Sequence, residues 1–238
     1  MLKYEKNIGN IAIIPARIGS KRIKKKNIKK FYGKPILELT YDILKKSKLF
    51  NKIILSSDSN EILRLGKNIG FDILIKRPKE LSDDYIGTDE VITHAIKILK
   101  KEINISNVCC VYPCNPLLQI SDLKKAYKLI KNNKKSLVLS ISNYAHPIER
   151  AFILNKRNSR IKNINNKFLK YRTQDITSKY FDAGQFYLAS KETWLSKKII
   201  NKISIKIPNW RVVDIDTIED WKKAELFYKF LKKEKLIK

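Results

Sequence analysis

The chain has 238 residues, 43% of them hydrophobic, and carries 51 Lys and Arg against 23 Asp and Glu for a formal net charge of +28. A chain of this length buries one sizeable core, so a single domain spanning 1–238 is expected. No run reaches the roughly 18 apolar residues of a membrane span, and Met1–Asn10 is polar and charged without an apolar signal core, which points to a soluble, cytoplasmic protein with no membrane partner.

The positive excess raises nucleic acid as a partner, because clustered cations neutralise backbone phosphates. Here the lysines occupy nearly every helix and loop instead of forming one stripe, which argues for no nucleic acid partner. Their collective field still steers small anionic substrates toward the protein.

Apolar runs of four to six residues alternate with longer stretches of helical period, the pattern of parallel strands joined by crossover helices and hence of an α/β fold. Ile11–Pro15 is the first strand, and it runs directly into a loop crowded with cations over Ala16–Asn27. Arg17 offers a planar fork of donors, Lys21 and Lys26 offer mobile point charges, and Gly19 lets backbone amides approach closely. That set suits a triphosphate. The spacing matches neither the P-loop nor the dinucleotide fingerprint, and Lys24-Lys25-Lys26 reads first as a solvated loop, although Lys26-Asn27 closes a segment where donors are wanted.

Gly33-Lys34-Pro35 turns the chain into a helix over Ile36–Ser47, with Pro35 suited to its first position. A strand follows over Ile53–Ser57, then a helix that Ser59 or Asn60 caps and Gly70 closes, then a short strand over Asp72–Ile75. Pro78 keeps Arg77 extended, so that its guanidinium either faces the crevice at the strand ends or sits on the surface. Thr88, followed by Asp89 and Glu90, opens a helix to about Lys101 in which His94 reads as a packing residue. Val108–Tyr112 is a central strand whose Cys109 and Cys110 point to opposite faces, poorly placed to share a bridge or a metal.

Pro113 and Pro116 force a loop, a helix runs from Ser121-Asp122 to near Asn132-Asn133, and Leu137–Ile141 is a further strand. From Asn143 to about Tyr180 the periodicity is lost, which reads as a protruding dimerisation arm, with a plain surface insertion as the alternative. Ala183–Leu188 returns as a strand. Asp182 precedes it, Gly184 leaves room for a ligand, and Gln185 supplies an amide donor and acceptor. Trp194 lies in a short helix, Val212–Ile215 is a last strand, and the final helix over Thr217–Lys232 starts with a capping-box pair, Thr217 and Asp220.

Asp214-Ile215-Asp216 is the second chemical signal. Residues two apart on a strand point the same way, so both carboxylates can converge on one hard cation that takes phosphate oxygens as further ligands, a magnesium geometry. An isolated Asp-x-Asp has the plainer reading of a solvated residue and a helix-preceding one. A triphosphate loop elsewhere in the chain favours the metal.

Taken together, Pro15-Ala16-Arg17-x-Gly19-Ser20-Lys21, Lys26-Asn27, Gly33-Lys34-Pro35, Arg77-Pro78 and Asp214-Ile215-Asp216-Thr217 resemble the signature set of the cytidylyltransferases that activate nonulosonic acids, the CMP-sialic acid synthetase family. The resemblance runs from about residue 11 to 228. Val108–Tyr112, Thr173-Gln174-Asp175 and Asp182–Tyr187 are similar to the pseudaminic acid branch of that family. Ile18 stands where Gly is common, which stiffens the loop, and Lys24-Lys25 replaces a segment that often contains Pro.

The resemblance implies a Rossmann-like α/β nucleotidyltransferase with a mostly parallel central sheet, acting as a homodimer on CTP and an acidic nine-carbon sugar with Mg²⁺. It implies nucleotide contacts from Ala16, Arg17, Ser20, Lys21, Lys26, Asn27, Arg77 and Thr88, with Lys21 and Arg17 catalytic and Lys21 the main stabiliser of developing charge. By the same resemblance Tyr112, Arg172, Gln174, Tyr180, Asp182 and Gln185 lie near the sugar, some reaching across the dimer, while Asp214 and Asp216 hold the metal. N-acetylneuraminic, legionaminic or 3-deoxy-octulosonic acid is the alternative sugar, and a basic nucleic-acid-binding protein is a distant alternative from another class.

Overall fold

The computed structural model describes residues 8–83, 85–100, 103–196, 201–234 and 236. In chain order the strands are β1 (Ile8–Pro15), β2 (Lys30–Phe31), β3 (Lys34–Pro35), β4 (Lys52–Ser57), β5 (Ile73–Lys76), β6 (Ile105–Val111), β7 (Ser136–Asn143), β8 (Phe152–Leu154), β9 (Ile161–Asn163), β10 (Tyr180–Ser190) and β11 (Asn201–Lys206). The helices are α1 (Ile36–Ser47), α2 (Asn60–Ile69), α3 (Thr88–Leu99), α4 (Ile120–Lys131), α5 (Lys191–Ser196) and α6 (Ile218–Lys233).

Seven strands form one sheet in the order β11-β7-β10-β6-β1-β4-β5. Every neighbouring pair is parallel except the two that β10 makes with β6 and β7. The chain builds outward from β1 through β4 to β5 and then returns to place β6 on the other side of β1. The carboxyl ends of β1 and β6 therefore lie at a topological switch point, where the connecting loops diverge and leave a crevice.

Both faces of the sheet are covered, as a parallel sheet requires. On one face Leu37, Tyr41 and Leu44 of α1, Ile62 of α2 and Leu123, Ala126, Tyr127 and Ile130 of α4 pack on Ala12, Ile14 and Leu55. On the other, Ile92, Ala95, Ile96 and Leu99 of α3 join Trp194 of α5 against Ile11, Ile13 and Val108. Strand alternation sends Cys109 into the first cluster and Cys110 into the second, and both thiols are free and buried.

The local signals act as sterics and capping demand. Ser59 accepts from the Ile62 N–H at the start of α2, and Gly70 closes that helix at φ +102°, a left-handed conformation that glycine adopts without a Cβ clash. Thr217 and Asp220 make a reciprocal capping box on α6. The helices α1 and α3 start at Ile36 and Thr88 as expected, with Pro35 and Gly87 in the cap positions before them, and the Thr88 hydroxyl bonds the Tyr112 hydroxyl.

Val212–Ile215, expected as a strand, makes no sheet pairing, and its place at the sheet edge belongs to β11 beside β7. The reason lies at Arg211, which turns the chain away from the sheet. Its Nη1 donates to Asp122 Oδ2 at 2.6 Å with both side chains buried, and its carbonyl accepts from Gln185 Nε2 at 3.1 Å. The 143–180 stretch contains the hairpin β8–β9, which pairs with no strand of the main sheet and exposes Phe152, Ile153 and Leu154. Residues 1–7, most of the polar start, and the expected helix end at Lys101 lie outside the described residues. Among the described residues no helix is long and apolar enough to cross a membrane.

Removing one partner of a buried ion pair strands the other charge, which typically costs about 3–5 kcal/mol. Asp122→Ala is accordingly expected to lower unfolding stability by about 3 kcal/mol. Chemical denaturation checks this, and a loss below about 1 kcal/mol, the scale of an exposed pair, would remove Arg211 as the anchor of the turn.

Candidate active site

A cavity of about 770 Å³ opens at the crevice, walled by the loop after β1, the loop after β6, the start of β10 over residues 181–184 and the 212–216 segment. The loop after β1 is held by its own polar contacts. The Ala16 N–H donates to the Ser56 carbonyl at 2.9 Å, the Ile18 N–H donates to Asp58 Oδ1 at 3.1 Å, and Asn27 Nδ2 reaches back to the Arg17 carbonyl at 2.7 Å. Cys114 Sγ donates to Asn27 Oδ1 at 3.2 Å, and burial pushes that thiol up to about 12. Ile18 packs against the main core, a use for a branched side chain in a place where glycine would give freedom instead.

A small apolar cluster brings the 212–216 segment to this loop. Ile23 from the loop and Ile215 from the segment are both buried together with Phe31, Ile36 and Trp221. With Ile215 turned inward, Asp214 and Asp216 face the cavity. Lys26 Nζ donates to the Ile215 carbonyl at 2.5 Å and to Asp216 Oδ1 at 3.2 Å, while Arg22 Nη2 donates to Asp216 Oδ2 at 2.6 Å. Desolvation first and the Asp216 charge second raise the Asp214 carboxyl above its ordinary range, with Lys26 and Arg22 opposing. Among the described residues no group of three or more His, Cys, Asp or Glu forms a metal cage. The donor set is thus a carboxylate pair open to the cavity, which fits a hard cation that shares its shell with phosphate oxygens and water.

The facing wall is built of hydroxyls and one buried guanidinium. Arg77 is buried, its Nε donates to Ser82 Oγ at 3.0 Å, and its pKa is lowered first by desolvation, with the Arg17 charge adding to it and Asp58 opposing. Tyr187 donates to Asp182 Oδ2 at 2.7 Å, and the Tyr112 and Tyr187 rings meet edge to face at 5.7 Å. Burial raises both phenols, so they act as neutral hydroxyls. Gly184 sits at φ +61° in the bulge where β10 shifts register against β7, and its N–H donates to Asp182 Oδ1 at 2.9 Å. Asn115 Nδ2 ties the carbonyls of Tyr112 and Gln185 at 3.0 and 3.1 Å, locking the loop after β6 to β10.

Of the residues expected from sequence, Arg17, Ser20, Lys21, Lys26, Asn27, Arg77, Thr88, Tyr112, Asp182, Asp214 and Asp216 all line the cavity. Others do not reach it. Ala16 is fully buried in the core, and Gln185 is buried with its amide committed to the Arg211 carbonyl, so both support the wall instead of facing a ligand. Asn27 reaches the wall, yet its amide nitrogen closes the loop on Arg17. Arg172, paired with Asp175 at 2.9 Å, and Gln174 lie exposed in the 143–180 stretch, and Tyr180 lies exposed under the Lys206 ammonium, all outside the cavity of their own chain.

Arg22, Ser82 and Asn115 line the cavity without having been expected there, and Tyr187 supports Asp182 from behind it. Arg22 was readable as a fourth cation of the loop, whereas Asn115 and Tyr187 acquire their positions only through the pairing of β6 with antiparallel β10.

A family model described as cytidylyltransferase matches residues 11–235. A pseudaminic acid cytidylyltransferase of Campylobacter jejuni subsp. jejuni serotype O:2 is 39% identical over 224 residues, covering 92% of this chain and 96% of that protein. An N-acylneuraminate cytidylyltransferase of Escherichia coli O18:K1:H7 is 29% identical over 189 residues, covering 79% of this chain and 44% of that protein. The fold is similar to a CMP:2-keto-3-deoxy-manno-octonic acid synthetase complexed with CTP, at TM-score 0.68 and 12% identity over 93% of this chain and 98% of that one. With a cavity that sets loop cations against two carboxylates at the switch point of a mostly parallel sheet, and with a match along nearly its whole length, this chain belongs to the cytidylyltransferase family of nucleotidyltransferases.

Proposed function

We propose that this enzyme transfers CMP from CTP to pseudaminic acid, releasing pyrophosphate, as one cytidylyltransferase domain in the cytoplasm. The observation that carries the reading is the meeting of Arg17, Lys21 and Lys26 with Asp214 and Asp216 around one cavity. The choice of sugar is supported by relatives named for pseudaminic acid at 37 to 39% identity, against 29% for the bacterial N-acylneuraminate enzyme.

In this reaction the anomeric hydroxyl oxygen of the sugar attacks the α-phosphorus in line. The new O–P bond forms as the bond to the oxygen bridging the α- and β-phosphates breaks, the hydroxyl proton passes to solvent water, and pyrophosphate carries away the negative charge. Arg17, Lys21 and Lys26 neutralise that charge from a loop fixed by Asp58, Asn27 and the Ile23 cluster, so they need no rearrangement during the step. Asp214 and Asp216 would hold Mg²⁺, which when bound supplies Lewis-acid neutralisation of the phosphate oxygens. Tyr112 and Asp182 offer a hydroxyl and a carboxylate for a polyhydroxylated sugar on the facing wall, with Asp182 steadied from behind by the Tyr187 hydroxyl. Three free cysteines suit a reducing compartment.

We also propose a homodimer joined through the 143–180 stretch. The exposed side chains Phe152, Ile153, Leu154 and Ile161 leave an apolar surface that a second copy would cover, and Arg172, Gln174 and Tyr180 would then approach the partner's cavity.

Incubation with CTP, Mg²⁺ and a panel of nonulosonic acids, read by pyrophosphate release, is expected to give turnover with pseudaminic acid above all others. Preference for N-acetylneuraminic acid would overturn the choice of sugar. Lys21→Ala is expected to reduce turnover about 10²-fold, the scale of losing one preorganised charge stabiliser. Full activity in that variant would remove Lys21 from the role. Ile153→Asp with Ile161→Asp is expected to shift the protein to monomer in sedimentation experiments, and an unchanged dimer would move the interface elsewhere.

A further inference from the structure

We infer that Arg22 is a positioning residue that couples nucleotide and metal binding: its ion pair with Asp216 keeps that carboxylate closed to a cation until a triphosphate draws the guanidinium away. The inference rests on the reading of Asp214 and Asp216 as the metal pair. Arg22 Nη2 sits 2.6 Å from Asp216 Oδ2, on the same cavity wall as Lys21 and Lys26. The other oxygen, Oδ1, accepts from Lys26 at 3.2 Å, so each oxygen of Asp216 already faces a cation.

The two cations are not equivalent. Lys26 is mostly buried, at 20% side-chain exposure, and its ammonium is also fixed by the Ile215 carbonyl at 2.5 Å. Arg22 is 66% exposed, and an exposed pair of this kind is weak enough to exchange. Its guanidinium presents several donors in a planar fork, a shape that matches phosphate oxygens in a bidentate manner and lets it trade one carboxylate oxygen for a triphosphate.

Such an exchange has a thermodynamic signature. A cation meets a competitor at Asp216 when no nucleotide is bound and meets less competition afterwards, so nucleotide and metal favour one another. Linkage makes that preference reciprocal. The arrangement also holds off stray divalent ions from an empty enzyme, since Asp214 alone is a poor site for a hard cation.

The test is equilibrium binding of Mn²⁺ alone to the nucleotide-free enzyme, read by the loss of the free-ion magnetic resonance signal. Arg22→Ala is expected to bind Mn²⁺ about 5-fold or more tightly than the parent enzyme, the lower end of ordinary site-to-site coupling. A structural defect would weaken binding instead. In the same variant, CTP affinity measured with chelator present is expected to fall several-fold, because the fork is lost. Unchanged Mn²⁺ affinity in Arg22→Ala, or unchanged CTP affinity, overturns the coupling. Adding Asp216→Asn to Arg22→Ala is expected to abolish the gain in Mn²⁺ affinity. If the gain survives in the double variant, Asp216 is not the ligand, and it is the reading of the metal pair that fails.

Discussion

The site depends on a small apolar contact between segments almost two hundred positions apart in the chain. Ile23 and Ile215 share a buried cluster with Trp221 and Phe31, separate from the two large clusters on the faces of the sheet. Without it, a loop of cations and a pair of carboxylates would each be solvated and unrelated. With Ile215 held inward, the flanking aspartates face the cavity, and Lys26 bridges to the backbone between them. A hydrophobic constraint thus creates the electrostatic arrangement, and electrostatics then sets the chemistry.

That contact needs rigid supports on both sides. The β1 end is fixed by its place between β4 and β6, and by the Ile18 amide on Asp58. The 212–216 segment has no sheet partners, so its start is set by Arg211, gripped through its side chain by Asp122 and through its carbonyl by Gln185. The buried pair therefore specifies direction more than it adds stability, since the desolvation of two ions offsets much of their attraction. Antiparallel β10 contributes the third support. Its bulge at Gly184 turns Asp182 to face Tyr187, and Asn115 stitches it to the loop after β6.

Much of this was legible in the sequence wherever local physics decides the outcome. The alternation of short apolar runs with helical period located most strands of the sheet, the left-handed glycine at Gly70 ended its helix, and the Thr217 and Asp220 pair fixed the start of α6. The cation loop and the Asp214 and Asp216 pair were visible as chemistry before any geometry. What failed was non-local. Val212–Ile215 has the composition of a strand, but a buried ion pair to a distant helix turns it away from the sheet, while β11, a short strand with Lys202 and Lys206 near its ends, takes the edge. Gln185 reads as a ligand amide, and only the position of Arg211 shows that it serves the backbone.

Cys114 lies beneath the cation loop, its sulfur bonded to the same Asn27 that closes the loop on Arg17. Burial holds this thiol in its protonated form up to about 12. The thiolate is the reactive species toward peroxides and electrophiles, so a sulfur that rarely ionises is a slow target. A cysteine at the wall of a strongly cationic cavity would ordinarily be activated and vulnerable. Here the chain keeps it inert by desolvation, and the loop that carries the phosphate-facing cations should retain its shape when the surrounding medium turns oxidising.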